Sequence, residues 1–369
     1  EMLRSLVGSE MCIRDRGEFC VFKRIISLIV AFFQMAFVSI MPIDYSGDEV
    51  FPNERNPMTT EHVYASRDDA VQAGGGWYEV LIDDFDYASK EEMEQTWDYA
   101  VHGNRNQEWW CPQAVSLRDN QAVIGAWLES DPAANCPGGS GTGSVDGKCA
   151  ANTEHFHGYG DSGDYEVVTG GLCSKLYQAF GYFEVKVKVP RQDGMWSAFW
   201  LQSKSQGQIG NHGIDGTEID VFESVFTNED HPNKIAHAFL WDGYGNCGRT
   251  HGQQIDMEKD MYDGWHTYGL LWTPEQYVFF VDGVATWKTV GGGVSQVPGQ
   301  VRLTNEVRKE GSTNTAWGVP QRVFDAMKNA PAEFVIDYVK IYQNTEYEKF
   351  IRSSEDFFDA GKLLLDSMK

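Results

Sequence analysis

The chain has 369 residues, 42% of them hydrophobic, which is enough for one large β domain or two smaller domains. It carries 30 basic against 54 acidic side chains, a net charge of −24, which argues against a nucleic-acid partner and disfavours a strongly anionic one. Aromatic residues make up 13% and sit among 38 glycines, a composition that suits a β-rich, sugar-handling protein better than a helical bundle or coiled coil.

Residues 1–16 (EMLRSLVGSEMCIRDR) follow no structural pattern and look like translated adaptor sequence; a disordered leader is the alternative. Residues 17–41 read as a secretory signal peptide. Lys23 and Arg24 precede the apolar run Ile25–Ile40, which is shorter than the ~20 residues a spanning helix needs. An uncleaved anchor is the other reading. Signal removal leaves no further apolar run, so a soluble, secreted or periplasmic monomer with no membrane contact is expected. Residues 42–75 are polar and turn-rich and read as a linker or N-terminal arm. Among the seven cysteines, Cys136 and Cys149 bracket a Gly/Ser-rich loop and are the first pair expected in an oxidising compartment; isolated structural cysteines are the alternative.

From Trp77 onward, short aromatic and β-branched runs predict strands over residues 78–85, 121–128, 180–189, 195–202, 217–225, 235–241, 265–272, 277–282, 301–307 and 333–342. In FEVKVKV, Phe183, Val185, Val187 and Val189 share one face, with Glu184, Lys186 and Lys188 opposite. Asp282-Gly283 marks a hairpin turn. Many short strands with glycine turns imply an all-β sandwich or jelly roll over residues 76–345. Residues 346–369 form the exception. Tyr347, Phe350, Ile351, Ser354, Phe357 and Phe358 follow the spacing of a C-terminal amphipathic helix, expected to dock on the sandwich.

The chemistry concentrates in Gly216-Thr217-Glu218-Ile219-Asp220-Val221-Phe222-Glu223. Three carboxylates inside six residues of an apolar strand are costly, because like charges resist ionising together. Such a cost is expected at a functional site. Glu218 and Asp220 share a face, whereas Glu223 points the other way in a regular strand. A β-bulge at Val221–Phe222 returns it to the same face. The two glutamates could then approach the ~5 Å of a retaining glycosidase pair; an inverting pair at ~6.5–9.5 Å is equally open to the sequence.

These residues resemble the bulged E-[ILV]-D-x-x-E signature of glycoside hydrolase family 16. FGYFEVKVKVP (180–190), GMWSAFWLQ (194–202), WHTYGLLWTPEQYVFFVDG (265–283) and FVIDYVKIYQ (334–343) are similar to further landmarks of that family, in the same order, with Ser197 where proline is usual. The resemblance implies a concanavalin-like jelly roll of two stacked antiparallel sheets with a polysaccharide-binding cleft. It also implies retaining endo-hydrolysis of β-1,3 or β-1,4 links. Glu218 would be the nucleophile, Glu223 the general acid/base, and Asp220 the residue that tunes Glu218. Electrostatics agrees: two negative neighbours favour the protonated form of Glu223.

Indole rings stack on pyranose faces. Trp196 and Trp200, two even steps along one strand, are the first substrate-binding candidates, with core packing as the alternative. Trp109, Trp110 and Trp241 are further candidates. The resemblance adds His237, on the neighbouring strand with Trp241 on its face. Asn211 and His212, and equally Asn305 and Glu306, could line the cleft or serve as loop and strand structure. His155, His157 and Tyr159 in the loop 129–171 are expected to shape one cleft end. Asp337 matches a position that holds a structural calcium in many relatives; a strand aspartate paired to backbone is the alternative. No cofactor is expected for catalysis.

The competing readings are a lectin-like carbohydrate-binding jelly roll and a transglycosylase; three crowded acids have no purpose in a lectin. The bulged motif disfavours a mixed-linkage lichenase, and the net charge disfavours sulfated galactans. A neutral β-1,3-glucan is therefore placed slightly ahead of an agar-like or other β-galactan.

Overall fold

Alternation of apolar and polar residues with a period of two builds most of this protein. A computed structural model describes residues 76–100, 108–138, 166–192, 194–224, 233–244, 248–307 and 325–357. The leader, signal and linker readings of residues 1–75 lie outside them, as do Cys149, His155, His157, Tyr159 and Phe358.

In chain order the strands are β1 (Trp77–Asp83), β2 (Trp97–Tyr99), β3 (Glu108–Trp110), β4 (Val115–Leu117), β5 (Ala122–Glu129), β6 (Glu166–Thr169), β7 (Gly171–Gln178), β8 (Gly181–Lys188) and β9 (Met195–Ser203). They continue with β10 (Glu218–Glu223), β11 (Lys234–Trp241), β12 (Arg249–Asp256), β13 (His266–Trp272), β14 (Tyr277–Val281), β15 (Val284–Thr289), β16 (Gly299–Val307) and β17 (Ala332–Asn344). Named helices are single turns: α1 (Lys90–Met93), α2 (Pro132–Asn135) and α3 (Thr345–Glu348); residues 325–327 and 354–357 are also helical.

The strands form two sheets. One runs β15-β14-β13-β8-β17-β5-β6-β3, with β1 also on β17 and β4 on β5. The other runs β12-β11-β10-β9-β16-β7-β2, which places β10 near its middle. The pairs are antiparallel except β3 with β6. Phe183, Val185 and Val187 of β8 face one way and enter the core, as their alternation predicts. They meet Phe199 and Leu201 of β9, Ile219 of β10, Phe239 of β11 and Leu303 of β16 from the opposite sheet. Asp282 and Gly283 both take positive φ (49° and 77°) and join β14 to β15 as a tight hairpin.

The tail departs from its expected course. Tyr347, Phe350 and Ile351 do pack against the core. The helix they begin, however, is only α3, capped by Asn344, whose side chain accepts from the Glu346 N–H at 2.9 Å. Residues 351–353 are not helical, and the Arg352 N–H donates to the Gln296 carbonyl at 2.8 Å. The three apolar anchors thus need one turn plus a tertiary hydrogen bond, not a continuous helix.

Candidate active site

The site begins with a break in a strand ladder. Against β9, Asp220 pairs with Trp200, but the next partners are Phe222 with Phe199 and Glu223 with Ala198. Against β11 the register likewise shifts between Asp220 and Glu223. Val221 is the extra residue of a bulge. Its consequence is visible in the packing: Val221 and Phe222 are consecutive, yet both are core residues with no exposure. Phe222 stacks on Tyr268 of the opposite sheet, with ring centroids 3.9 Å apart and planes 16° apart. Burying that ring contributes about 1.5–3 kcal/mol, which holds the bulge in place.

With Ile219, Val221 and Phe222 turned inward, Glu218, Asp220 and Glu223 lie together on the open face of the sheet. Glu218 and Asp220 are only 5% and 4% exposed; Glu223 is half-buried. Glu218 Oε2 accepts from Gln202 Nε2 at 2.9 Å and from the Tyr244 hydroxyl. Gln202 Nε2 also reaches the Tyr244 oxygen, at 2.8 Å, so three side chains close a triangle. Glu223 Oε1 accepts from the indole N–H of Trp196 at 2.9 Å. Sequence reasoning missed Gln202 and Tyr244. Gln202 was within reach, because it shares the alternating face of Trp196 and Trp200; Tyr244 comes from a turn with no pattern.

The ends of β10 are fixed by local chemistry. Gly216 precedes it at φ +136°, and a Cβ there would sit 2.3 Å from Ser205 Oγ, so only glycine fits. Beyond Glu223, the Ser197 N–H donates to Ser224 Oγ at 2.8 Å. Proline at 197 could not make that bond.

The aromatic candidates separate. Trp196 is half-buried on the open face. Trp200 is on the same face but 3% exposed; its N–H donates to Thr304 Oγ1 at 3.1 Å and the Arg302 guanidinium lies 4.9 Å from its ring centre. Arg302, on β16 directly opposite Trp200, is a cationic floor residue that alternation in VRLTNEV points to and that went unselected. Trp110 has no exposure and its N–H donates to Glu108 Oε2 at 3.0 Å, so the sugar-platform reading is corrected: this indole is a packed structural group.

His237 and Trp241 do share a face, but it is the inner one. The residues of β11 opposite Glu218, Asp220 and Glu223 are Leu240, Ala238 and Ala236. His237 is wholly buried among Phe279 and Trp287, and Trp241 packs against the core. The substrate-contact reading of both is therefore corrected. His237 instead serves the bulge. Its Nδ1–H donates to the Val221 carbonyl at 2.6 Å, the group that the register break leaves over, and Nε2 accepts from the Thr286 hydroxyl at 2.9 Å. Burial pushes its pKa down to about 4, so the ring is neutral.

Asn211 and His212 occupy the loop leading to β10, both at positive φ (58° and 56°). The Asn211 amide turns to the buried Asp215, donating to Oδ2 at 3.3 Å, and so serves the loop. Burial raises Asp215 to about 8, and the nearby Asp242 adds to the rise. Asn305 is buried between the sheets, with Nδ2 on the Ile124 carbonyl at 2.9 Å. Asp337 lies at a second bulge, in β17, and its Oδ2 accepts from Lys186 Nζ at 2.9 Å. An ammonium group on that oxygen does the work a cation would do. Among the described residues no cluster of three or more His, Cys, Asp or Glu side chains could hold a metal. A calcium bound at Asp337 would have to share that carboxylate with the Lys186 ammonium.

Comparison with known proteins agrees with this geometry. The family model of glycosyl hydrolases family 16 matches residues 147–293. A beta-glucanase of Rhodothermus marinus is 27% identical over 281 residues, covering 73% of this chain and 86% of that protein. Xyloglucan endotransglucosylase/hydrolase protein 3 of Arabidopsis thaliana is 35% identical over 117 residues, 31% of this chain and 36% of that protein. In fold, the laminarinase catalytic domain of Thermotoga maritima MSB8 superposes with a TM-score of 0.51 at 17% identity, covering 73% of this chain and 99% of that one. The kappa-carrageenase of Pseudoalteromonas carrageenovora gives 0.55 at 15% identity, covering 76% and 100%. The bulged acidic strand and these similarities point the same way: over residues 147–293 the chain matches glycosyl hydrolases family 16, and over 281 residues it is similar to a beta-glucanase.

Proposed function

We propose that the protein is a secreted endo-β-glycanase that cleaves a neutral β-1,3-glucan with retention of configuration. The observation that carries this reading is the bulge at Val221, which sets Glu218, Asp220 and Glu223 on one open face. In the first step Glu218 attacks the anomeric carbon while Glu223 gives its proton to the departing glycosidic oxygen. A covalent glycosyl ester on Glu218 results. In the second step Glu223 takes a proton from water, and the resulting oxygen nucleophile displaces Glu218 from the anomeric carbon. Gln202 and Tyr244 orient Glu218, and Trp196 orients Glu223 beside the sugar. Asp220 lies between the two glutamates and tunes Glu218. The polymer is the partner, and the working unit is a monomer.

The neutral glucan is supported by the net charge of −24, which repels sulfated chains, and by the beta-glucanase relative. A β-galactan is the next substrate to test. A second reading, transfer of the glycosyl group to a sugar acceptor, draws support from the 35% identical stretch of the plant endotransglucosylase/hydrolase. It shares the first step and differs only in the acceptor.

The test is reducing-sugar release with product sizing from laminarin, barley mixed-linkage glucan, agarose, carrageenan, porphyran and a β-galactan. Glu218→Gln is the control. Oligosaccharides from laminarin, absent with the variant, are expected; products longer than the starting chains would indicate transfer. Silence on every polymer, with binding retained by both proteins, would overturn the enzyme reading in favour of a lectin.

A further inference from the structure

We propose that Cys111 and Cys136 form a disulfide that staples the turn after α2 to the edge strand β3. The two residues enclose positions 112–135, yet both are buried in one cluster with Trp109, Ala114 and Val168, at 1% and 2% exposure. Both are free thiols in this structure, and each is close enough to influence the ionisation of the other. Both backbones are held by bonds that do not involve sulfur. The Cys111 N–H donates to the Thr169 carbonyl at 3.0 Å, and the Cys136 N–H to the Pro132 carbonyl at 2.8 Å. The Cys136 carbonyl accepts from the Trp109 indole at 3.2 Å, and the next carbonyl, of Pro137, accepts from Gln113 Nε2 at 2.8 Å. Two thiols in one buried cluster, each on a backbone held by other bonds, are placed for cross-linking.

The location gives the bond a purpose. β3 is the last strand of its sheet, with β6 on one side. Edge strands are where sheets fray and where foreign strands add. A cross-link there closes a loop across the edge and constrains the unfolded chain.

The oxidant is the disulfide of a thiol oxidoreductase or of a small oxidised thiol. One cysteine thiolate attacks it and expels one thiolate, leaving a mixed disulfide. The second cysteine thiolate then displaces the remaining half. Two S–H bonds are lost, one S–S bond forms, and the oxidant leaves as two thiols after taking two electrons and two protons. Burial raises both thiols, Cys136 to about 12, so little thiolate exists once the site has closed. The exchange therefore belongs to folding, before burial. Cys173 lies elsewhere, with Ala100 and Trp110, and serves as an internal control.

The experiment refolds the full chain in a mixture of reduced and oxidised glutathione, alkylates free thiols and maps peptides without reduction. A peptide pair joined through Cys111 and Cys136, with Cys173 alkylated after denaturation, is expected. Reductant should then lower the melting temperature by about 5 °C in the wild type and not in Cys111→Ser or Cys136→Ser. Alkylation of both thiols after oxidative refolding would overturn the proposal, and so would a Cys136–Cys149 link. If the serine variants fail to fold, the wild-type peptide map decides alone.

Discussion

The bulges at Asp337 in β17 and at Val221 in β10, one in each sheet, both lie beside acidic residues and use them differently. In β17 the register shifts between Ile336 and Tyr338, and the intervening Asp337 meets Lys186 at 2.9 Å. In β10 the shift delivers Glu223 beside Glu218 and Asp220, where donors include the neutral groups of Gln202, Tyr244 and Trp196. The first carboxylate is matched by a charge and is structural. Glu218 and Glu223 accept hydrogen bonds that orient their oxygens. The same backbone irregularity thus accompanies an ion pair in one sheet and a cluster of three acids in the other; the difference lies in what the neighbouring strands present.

The comparison breaks first at the acids themselves. Glu218→Gln should abolish turnover, since an amide cannot form the glycosyl ester. Glu223→Gln should lower kcat by about 10²–10⁴, the usual worth of a positioned acid/base, with the fold unchanged by circular dichroism. Azide, a nucleophile that needs no proton removed, should restore part of the Glu223→Ala activity as glycosyl azide. Activity in Glu218→Gln within tenfold of wild type would remove β10 from the chemistry.

The next largest effect concerns the support beneath the bulge. His237 is 0% exposed and bonds the Val221 carbonyl, so His237→Ala leaves a buried acceptor unpaired and a void, a loss of about 2–4 kcal/mol by urea unfolding. The pH dependence is a sharper readout. The folded histidine titrates at about 4, against an ordinary value near 6.5 in the unfolded chain. A depressed folded pKa means that the unfolded state binds the proton first. The stability due to neutral His237 is therefore complete above pH 6.5 and is lost as pH falls toward 4, by about 3 kcal/mol. Asp215, raised to about 8, has the opposite slope over that range. For that reason the measurement is the stability difference between wild type and His237→Gln, which should grow by about 3 kcal/mol from pH 4 to 6.5. A flat difference would mean the ring is solvated.

His237 also marks how far the sequence could be read. The acidic motif, the bulge and the strands around it follow from alternation and charge crowding, and each of the ten expected strands overlaps an observed one. β2, β3 and β4 have only three residues, too few for a period, and β12 (RTHGQQID) is a polar strand at the sheet edge with no alternation to detect. His237 and Trp241 were correctly placed on one face. The choice of face depends on register against β10, and a one-residue error inverts it. Trp110 failed for another reason. Indoles look alike in sequence whether they stack on sugar or pack inside, and only burial separates them.

A smaller change should appear at Tyr244. It is 58% exposed, so Tyr244→Phe costs little stability, yet its hydroxyl donates to Glu218. A loss of about tenfold in kcat is expected, near the free energy of one hydrogen bond to a charged group. KM should move little if the tyrosine acts on the nucleophile alone. A rise in KM with unchanged kcat would instead make it a sugar contact.

The smallest effect should come from the other bulge, and its smallness is the point. The Lys186 and Asp337 side chains are about a third exposed, at 34% and 30%, so solvent screens their attraction. Asp337→Asn should change stability by less than about 1 kcal/mol and leave kcat unchanged. Adding calcium or a chelator should shift the melting temperature of wild type and variant equally, because the lysine already occupies the oxygen that a cation would need. A calcium-dependent rise confined to the wild type would show that Lys186 can move aside, and the β17 bulge would then be a metal site.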